Sequence, residues 1–135
     1  MTWGQRGQRV GAYLRQDRGG GALELAILTP AIFLLIFGAI QAMMLAHGRN
    51  VAQSAAQRGV EIGRSYDASP GAGAGAAREF LGHMGEGALR STTVTTSGST
   101  GTTVRITVTG RVPSLVPGMR WNITQAATGP RERLS

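Results

Sequence analysis

Between Leu25 and Ala46 the chain runs for 22 residues without a formal charge. A soluble amphipathic helix would break such a run with charges on its wet face. As a helix rising about 1.5 Å per residue it is roughly 33 Å long, close to the hydrocarbon thickness of a bilayer. The run therefore predicts a single membrane-spanning helix with lipid as its first partner. A secretory signal peptide is the competing reading. Its apolar region is shorter, about 7–15 residues, and ends at a small-residue cleavage site. Here the run begins beyond residue 20 and continues through Met43, Met44 and Leu45.

The rest of the chain must then form a small head. Of 135 residues only two are Trp, two Tyr and three Phe, while 21 are Gly, leaving little with which to fill a large soluble core. Cysteine is absent, which excludes disulfides, thiolate zinc sites and a cysteine nucleophile. All 14 basic residues are arginine, against seven acids, giving a net charge of +7. Four of those arginines precede residue 20, and the remaining ones are scattered and not interleaved with aromatics, so no nucleic-acid partner is expected. Close to the span the arginines balance, Arg15 and Arg18 before it and Arg49 and Arg58 after it. Charge alone leaves the orientation open.

Immediately before the span stands Asp17-Arg18-Gly19-Gly20-Gly21-Ala22-Leu23-Glu24-Leu25, a basic tail ending in glycine with one glutamate at the mouth of the apolar helix. This resembles the processing site of type IV pilins and pseudopilins, where a membrane aspartic peptidase cuts after a glycine and the mature chain carries glutamate at its fifth position. A cut between Gly19 and Gly20 puts Glu24 there. Together with Ala26-Ile27-Leu28-Thr29-Pro30, Phe37-Gly38 and Arg49 to Gly59, the stretch resembles the TadE-like family of tight-adherence pilus assembly proteins, over about residues 18–64. That family more often has an aromatic residue after the glutamate, and here it is Leu25. The resemblance implies a minor pseudopilin in the cytoplasmic membrane, with a cytoplasmic N-terminus and an extracytoplasmic head. It implies three partners: membrane lipid, a prepilin peptidase, and other pilus subunits packed on the N-terminal helix. The role would be structural, in the assembly of an adhesive pilus, with no cofactor.

The residues carry a physical reading of their own. A carboxylate such as Glu24 at the edge of hydrocarbon is costly unless hydrated or paired. After cleavage the amino group of Gly20 lies about one turn away, where the Glu24 of a neighbouring subunit could neutralise it. Pro30 removes a backbone donor, which membrane helices tolerate as a kink. Gly38, Ala42 and Ala46 recur every fourth residue, the small-residue spacing that lets helices approach closely.

Past the span no turn signal intervenes before about Arg64, so one helix covering residues 20–66 is expected, with Ala52, Ala55, Ala56, Gly59 and Gly63 as a small-residue stripe. Residues 1–19 form the leader, 67–75 a Gly/Ala-rich hinge, 76–128 the head, and 129–135 a frayed tail. Within the head, residues 76–89 predict a short helix burying Phe80, Leu81 and Met84. Its Glu79, His83 and Glu86 have a spacing compatible with metal ligands, but without a supporting ligand set a solvated helix face is the favoured reading. Val104, Ile106 and Val108 alternate with Arg105, Thr107 and Thr109, the period of a half-buried strand. With Thr92–Thr96 and Arg120–Ala126 this gives an antiparallel sheet of about three strands, hence an α+β chain. No serine has a recognisable histidine and acid partner, so no catalysis is expected. The second functional reading is an uncleaved single-span envelope protein whose head binds a partner or ligand.

Overall fold

The computed structural model describes residues 3–65 and 67–132, of which 3–19 are described as backbone alone. The chain is α+β, and it divides into two compact units, Met1–Ala39 and Ile40–Ser135. Helix α1 spans Trp3–Gly63 and supplies the first unit with its described structure and the second unit with residues 40–63. Pro30 lies inside α1 without ending it, at the cost of one backbone donor.

In the second unit, β1 (Arg90–Thr95), β2 (Thr103–Val112) and β3 (Trp121–Pro130) form an antiparallel sheet in the order β1-β2-β3. The central strand follows its period-2 pattern: Val104, Ile106, Val108, Gly110 and Val112 are buried, and the residues between them are not. The largest fully buried side chains of this unit are Ile106, Val104, Val108 and Val112, all on β2. The core is therefore β-branched and thin.

What lets so small a core close is the surface opposite. Ala52, Ala55 and Ala56 of α1 have no exposed area, and Gly48, Gly59 and Gly63 are buried beside them. A Cβ placed on Gly48 would stand 2.7 Å from Val112 Cγ2, one on Gly59 3.1 Å from Ile106 Cγ1, and one on Gly63 3.1 Å from Val104 Cγ1. Strand and helix thus run side by side in opposite senses, with 112, 106 and 104 set against 48, 59 and 63. Fifteen helical residues advance about 22 Å. Eight strand residues cover about 26 Å, so the two ladders stay nearly in step.

Helix α2 (Pro70–Met84) presses on the same seam. Residues 70–75, expected as hinge, are its first turns. The Oγ of Ser69 accepts the Ala72 N–H at 3.1 Å and Pro70 occupies the first helical turn, which together start a helix despite the alternating glycines. Gly73 faces Gly59, whose carbonyl oxygen would collide with any Cβ at position 73. The glycines expected to loosen this segment are what allow its approach. The helix ends at Met84, where the Gly85 N–H donates to Leu81 at 2.8 Å. Leu81 is buried and Phe80 partly so, but Met84 is exposed, contrary to expectation.

Two further boundaries move. Helix α1 stops at Gly63, short of the expected residue 66, and residue 66 itself lies outside the described set. Residues 129 and 130, expected in a frayed tail, belong to β3, where Gly129 pairs with Val104 and Pro130 with Thr103. Beyond them the Arg131 N–H donates to the Thr102 carbonyl at 2.8 Å, and the Glu132 N–H to that of Arg64 at 2.9 Å. Gly129 is buried against Val60, a close approach that pins the end of the strand. Residues 133–135 lie outside the described set.

Candidate membrane and assembly helix

Every residue from 20 to 40 is exposed on its own chain. Leu34 and Leu35 expose 73% and 74% of their surface, and Leu23, Ile27, Ile32 and Phe33 each more than half. Twenty-one residues of helix measure about 31 Å, again the thickness of hydrocarbon. The helix over Gly20–Gly63 is long and apolar enough to cross a membrane, with a mean hydropathy of 2.3 over its most apolar window, none of which is buried. Phe33 and Phe37 stack one turn apart, with ring centroids separated by 6.1 Å.

Against that surface the sequence-predicted residues fall as follows. Gly19 lies among the residues described only as backbone, within α1. Gly20 is exposed, and a side chain there would meet nothing within 4 Å. Glu24 is exposed, and among the described residues its carboxylate has no hydrogen-bond or ionic partner. Gly38 is open in the same sense as Gly20, and Ala42 and Ala46 are exposed. The small-residue face at 38, 42 and 46 is thus uncovered by the chain itself, whereas the stripe from Ala52 onward is fully occupied by the head.

Gln41 escaped the sequence reading. It sits within the uncharged run, yet it is 91% buried, and both ends of its amide are used. Its Nε2 donates to the Pro113 carbonyl at 3.1 Å, and its Oε1 accepts the Leu115 N–H at 2.8 Å. A primary amide holding one carbonyl and one N–H in this way substitutes for a strand neighbour, fixing the loop that follows β2. The signal was present: Gln41 is the one side-chain amide in the run, and an amide in apolar surroundings must find partners. From Gln41 on, burial recurs at Gly48, Val51, Ala52, Ala55, Ala56, Gly59, Val60 and Gly63, the 3.6-residue period of a helix face turned to a core.

Charged groups in the second unit are dispersed. Arg58 and Glu61 pair at 3.2 Å on the exposed side of α1, an arrangement of little energetic weight. A groove of about 650 Å³ between α1 and α2 is lined by Arg58, Ile62, Glu79, Phe80 and His83 among others. Glu86 lies past the end of α2, so it does not share a helix face with Glu79 and His83. Among the described residues no cluster of His, Asp or Glu could hold a metal ion.

Comparison with known protein families matches residues 19–61 to the family described as TadE-like protein. No curated protein and no solved structure matches the chain. The matched segment contains Gly19, Gly20, Glu24, Pro30, Gly38, Ala42 and Gln41, and continues through the alanine stripe to Glu61.

Proposed function

We propose, for a chain whose residues 19–61 are TadE-like, the role of a minor pseudopilin: a membrane-anchored structural component in the assembly of an adhesive tight-adherence pilus. One observation carries this reading. The family match falls on a helix whose large apolar side chains from 20 to 40 are all uncovered by their own chain, so that lipid or other helices must cover them. The function is mechanical and not catalytic: insertion, then helix packing.

Each residue then has a task. A prepilin peptidase cuts between Gly19 and Gly20. Three glycines in succession make local unwinding cheap, since each costs about 1 kcal/mol relative to alanine in a helix. The leader stays in the cytoplasm and the head stands outside. The new amino group of Gly20 pairs with Glu24 of an adjacent subunit. Gly38 and Ala42 let helices of neighbouring subunits approach, and Pro30 leaves one carbonyl a turn earlier without its usual donor.

The test uses the full-length chain in cells that make the pilus. Intact mass and N-terminal sequencing of the membrane-bound protein should show a chain beginning at Gly20. Glu24→Gln should keep normal membrane levels while piliation falls, because an unpaired buried ammonium costs roughly 3–5 kcal/mol. An uncleaved chain with undisturbed pili in Glu24→Gln would instead favour a single-span envelope protein whose head binds a partner.

A further inference from the structure

The segment between β2 and β3 has an unusual make-up for a surface loop. It reads Pro113-Ser114-Leu115-Val116-Pro117-Gly118-Met119-Arg120, and Leu115, Val116 and Met119 are all exposed. It is also tightly built. The Met119 N–H donates to the Val116 carbonyl at 3.3 Å, with Pro117 and Gly118 at the turn. Gly118 has φ +83°, the value that the third position of a type II turn requires. The Oγ of Ser114 accepts from the Val116 N–H at 3.1 Å and from Trp121 Nε1 at 3.2 Å, and donates to the Val116 carbonyl at 3.0 Å. A preformed turn holding three apolar side chains outward is not the product of a search for solvent.

Its position supplies the reason. The Gln41 amide ties Pro113 and Leu115 to α1 at a point inside the uncharged run. At the same level of the helix, Ile40 and Met43 are exposed and apolar as well. The loop thus adds exposed apolar side chains to an exposed apolar stretch of helix at this end of the second unit, the end from which the chain leads into the apolar segment. Arg120 follows on the loop, exposed, and Trp121 is half-buried at its base. Tryptophan and arginine flanking an apolar tip is the composition of a membrane interface, where an indole sits at headgroup level and a guanidinium meets lipid phosphate.

We infer that the loop over residues 114–119 is a second lipid-contacting element of this chain, seated in the headgroup–acyl boundary beside Gln41. The inference rests on α1 crossing the bilayer, and it sets the boundary of the span at Gln41, five residues earlier than Ala46. It gives the head two attachments to the membrane surface, a helix and a turn. The shallow depth reached by interfacial elements, roughly 5–10 Å, suits a tip of three side chains.

The chain contains no cysteine, so single cysteines can be introduced without removing any. The full-length protein carrying Val116→Cys, Ser97→Cys or Phe33→Cys is spin-labelled and reconstituted in phosphatidylethanolamine–phosphatidylglycerol vesicles. Collision with oxygen is then compared with collision with a water-soluble nickel chelate. Ser97, exposed in the β1–β2 turn at the opposite end of the sheet, is the aqueous control, and Phe33 the control within the span. The oxygen-to-nickel ratio at Val116 should lie several-fold above that at Ser97 and below that at Phe33. A water-like ratio at Val116 beside a lipid-like one at Phe33 overturns the loop inference and leaves the span standing. Water-like ratios at both positions overturn the span and the inference with it. A Val116 label shielded from both reagents means that a protein surface covers the loop, which overturns lipid as its occupant.

Discussion

Helix α1 contains two surfaces written in opposite alphabets. From residue 20 to 40 its large side chains are almost all Leu, Ile and Phe, and all of them are exposed. From 48 to 63 the positions facing the core are Ala, Gly and Val, and they are buried. Ordinary soluble proteins place large apolar residues inside and small or polar ones outside. The first stretch inverts this, as a helix meant for apolar surroundings would. The second departs from it because its neighbour is the backbone of another helix and a β-branched strand, which fill the space that a small side chain leaves. Size, and not hydrophobicity, separates the two stretches, and each is suited to a different partner.

The largest effect should come from breaking the first stretch alone. Leu34→Arg together with Leu35→Arg places two guanidiniums near the middle of the apolar segment, at about 5–7 kcal/mol by insertion scales. The protein should leave the carbonate-resistant membrane fraction while the thermal transition of the head, followed by Trp121 fluorescence in a Trp3→Phe background, stays where it was. Breaking the packing of α2 on the second stretch should do the reverse. Gly73→Val drives side-chain atoms into the Gly59 carbonyl, an overpacking cost of roughly 3 kcal/mol, so the head should unfold early while membrane retention is unchanged.

The remaining substitutions sharpen the boundary between the stretches. Gln41→Leu leaves the Leu115 N–H and the Pro113 carbonyl without their partners, at about 1–3 kcal/mol for groups desolvated at this site. Amide hydrogen exchange should rise at Leu115 while the β2–β3 ladder keeps its protection. Ser69→Ala removes the cap of α2 and should lower the unfolding free energy by about 1 kcal/mol in a denaturant titration. Smallest of all, Arg58→Ala should change stability by no more than about 0.5 kcal/mol, because its pairing with Glu61 is solvated.

Much of this was legible in the order of residues. An uncharged run of bilayer length, an Ala/Gly stripe and a strict alternation through Val104, Ile106 and Val108 each reflect a single local period, and each element formed as its period required. Other features depend on a partner far away in sequence. Gln41 is paired to Pro113 and Leu115, so its neighbourhood shows an amide in need of partners but not that the head supplies them. The glycines at 71, 73 and 75 read locally as a break. The helix there rests on the Ser69 cap, and Gly73 on its fit to Gly59, which local composition does not express. The last strand likewise extends past Ala126 because Val104 and Thr103 offer it a ladder. Among the candidate assembly residues, the exposure of Glu24 and Gly38 is a property of the single chain, and the pairing proposed for them would belong to contacts between chains.

The Ala/Gly seam also bears on the order in which the molecule is made. During synthesis residues 48–63 emerge well before β2, so the helix must wait uncovered until Val104, Ile106 and Val112 arrive. Had that face been built of leucine, it would offer a broad sticky surface to every neighbouring nascent chain throughout the delay. Alanine and glycine present little apolar area, so the unfinished face has little to gain from a wrong partner. Affinity arrives with the strand, which brings the large side chains itself. The face reserved for the chain's own sheet thereby stays inert until that sheet arrives to claim it.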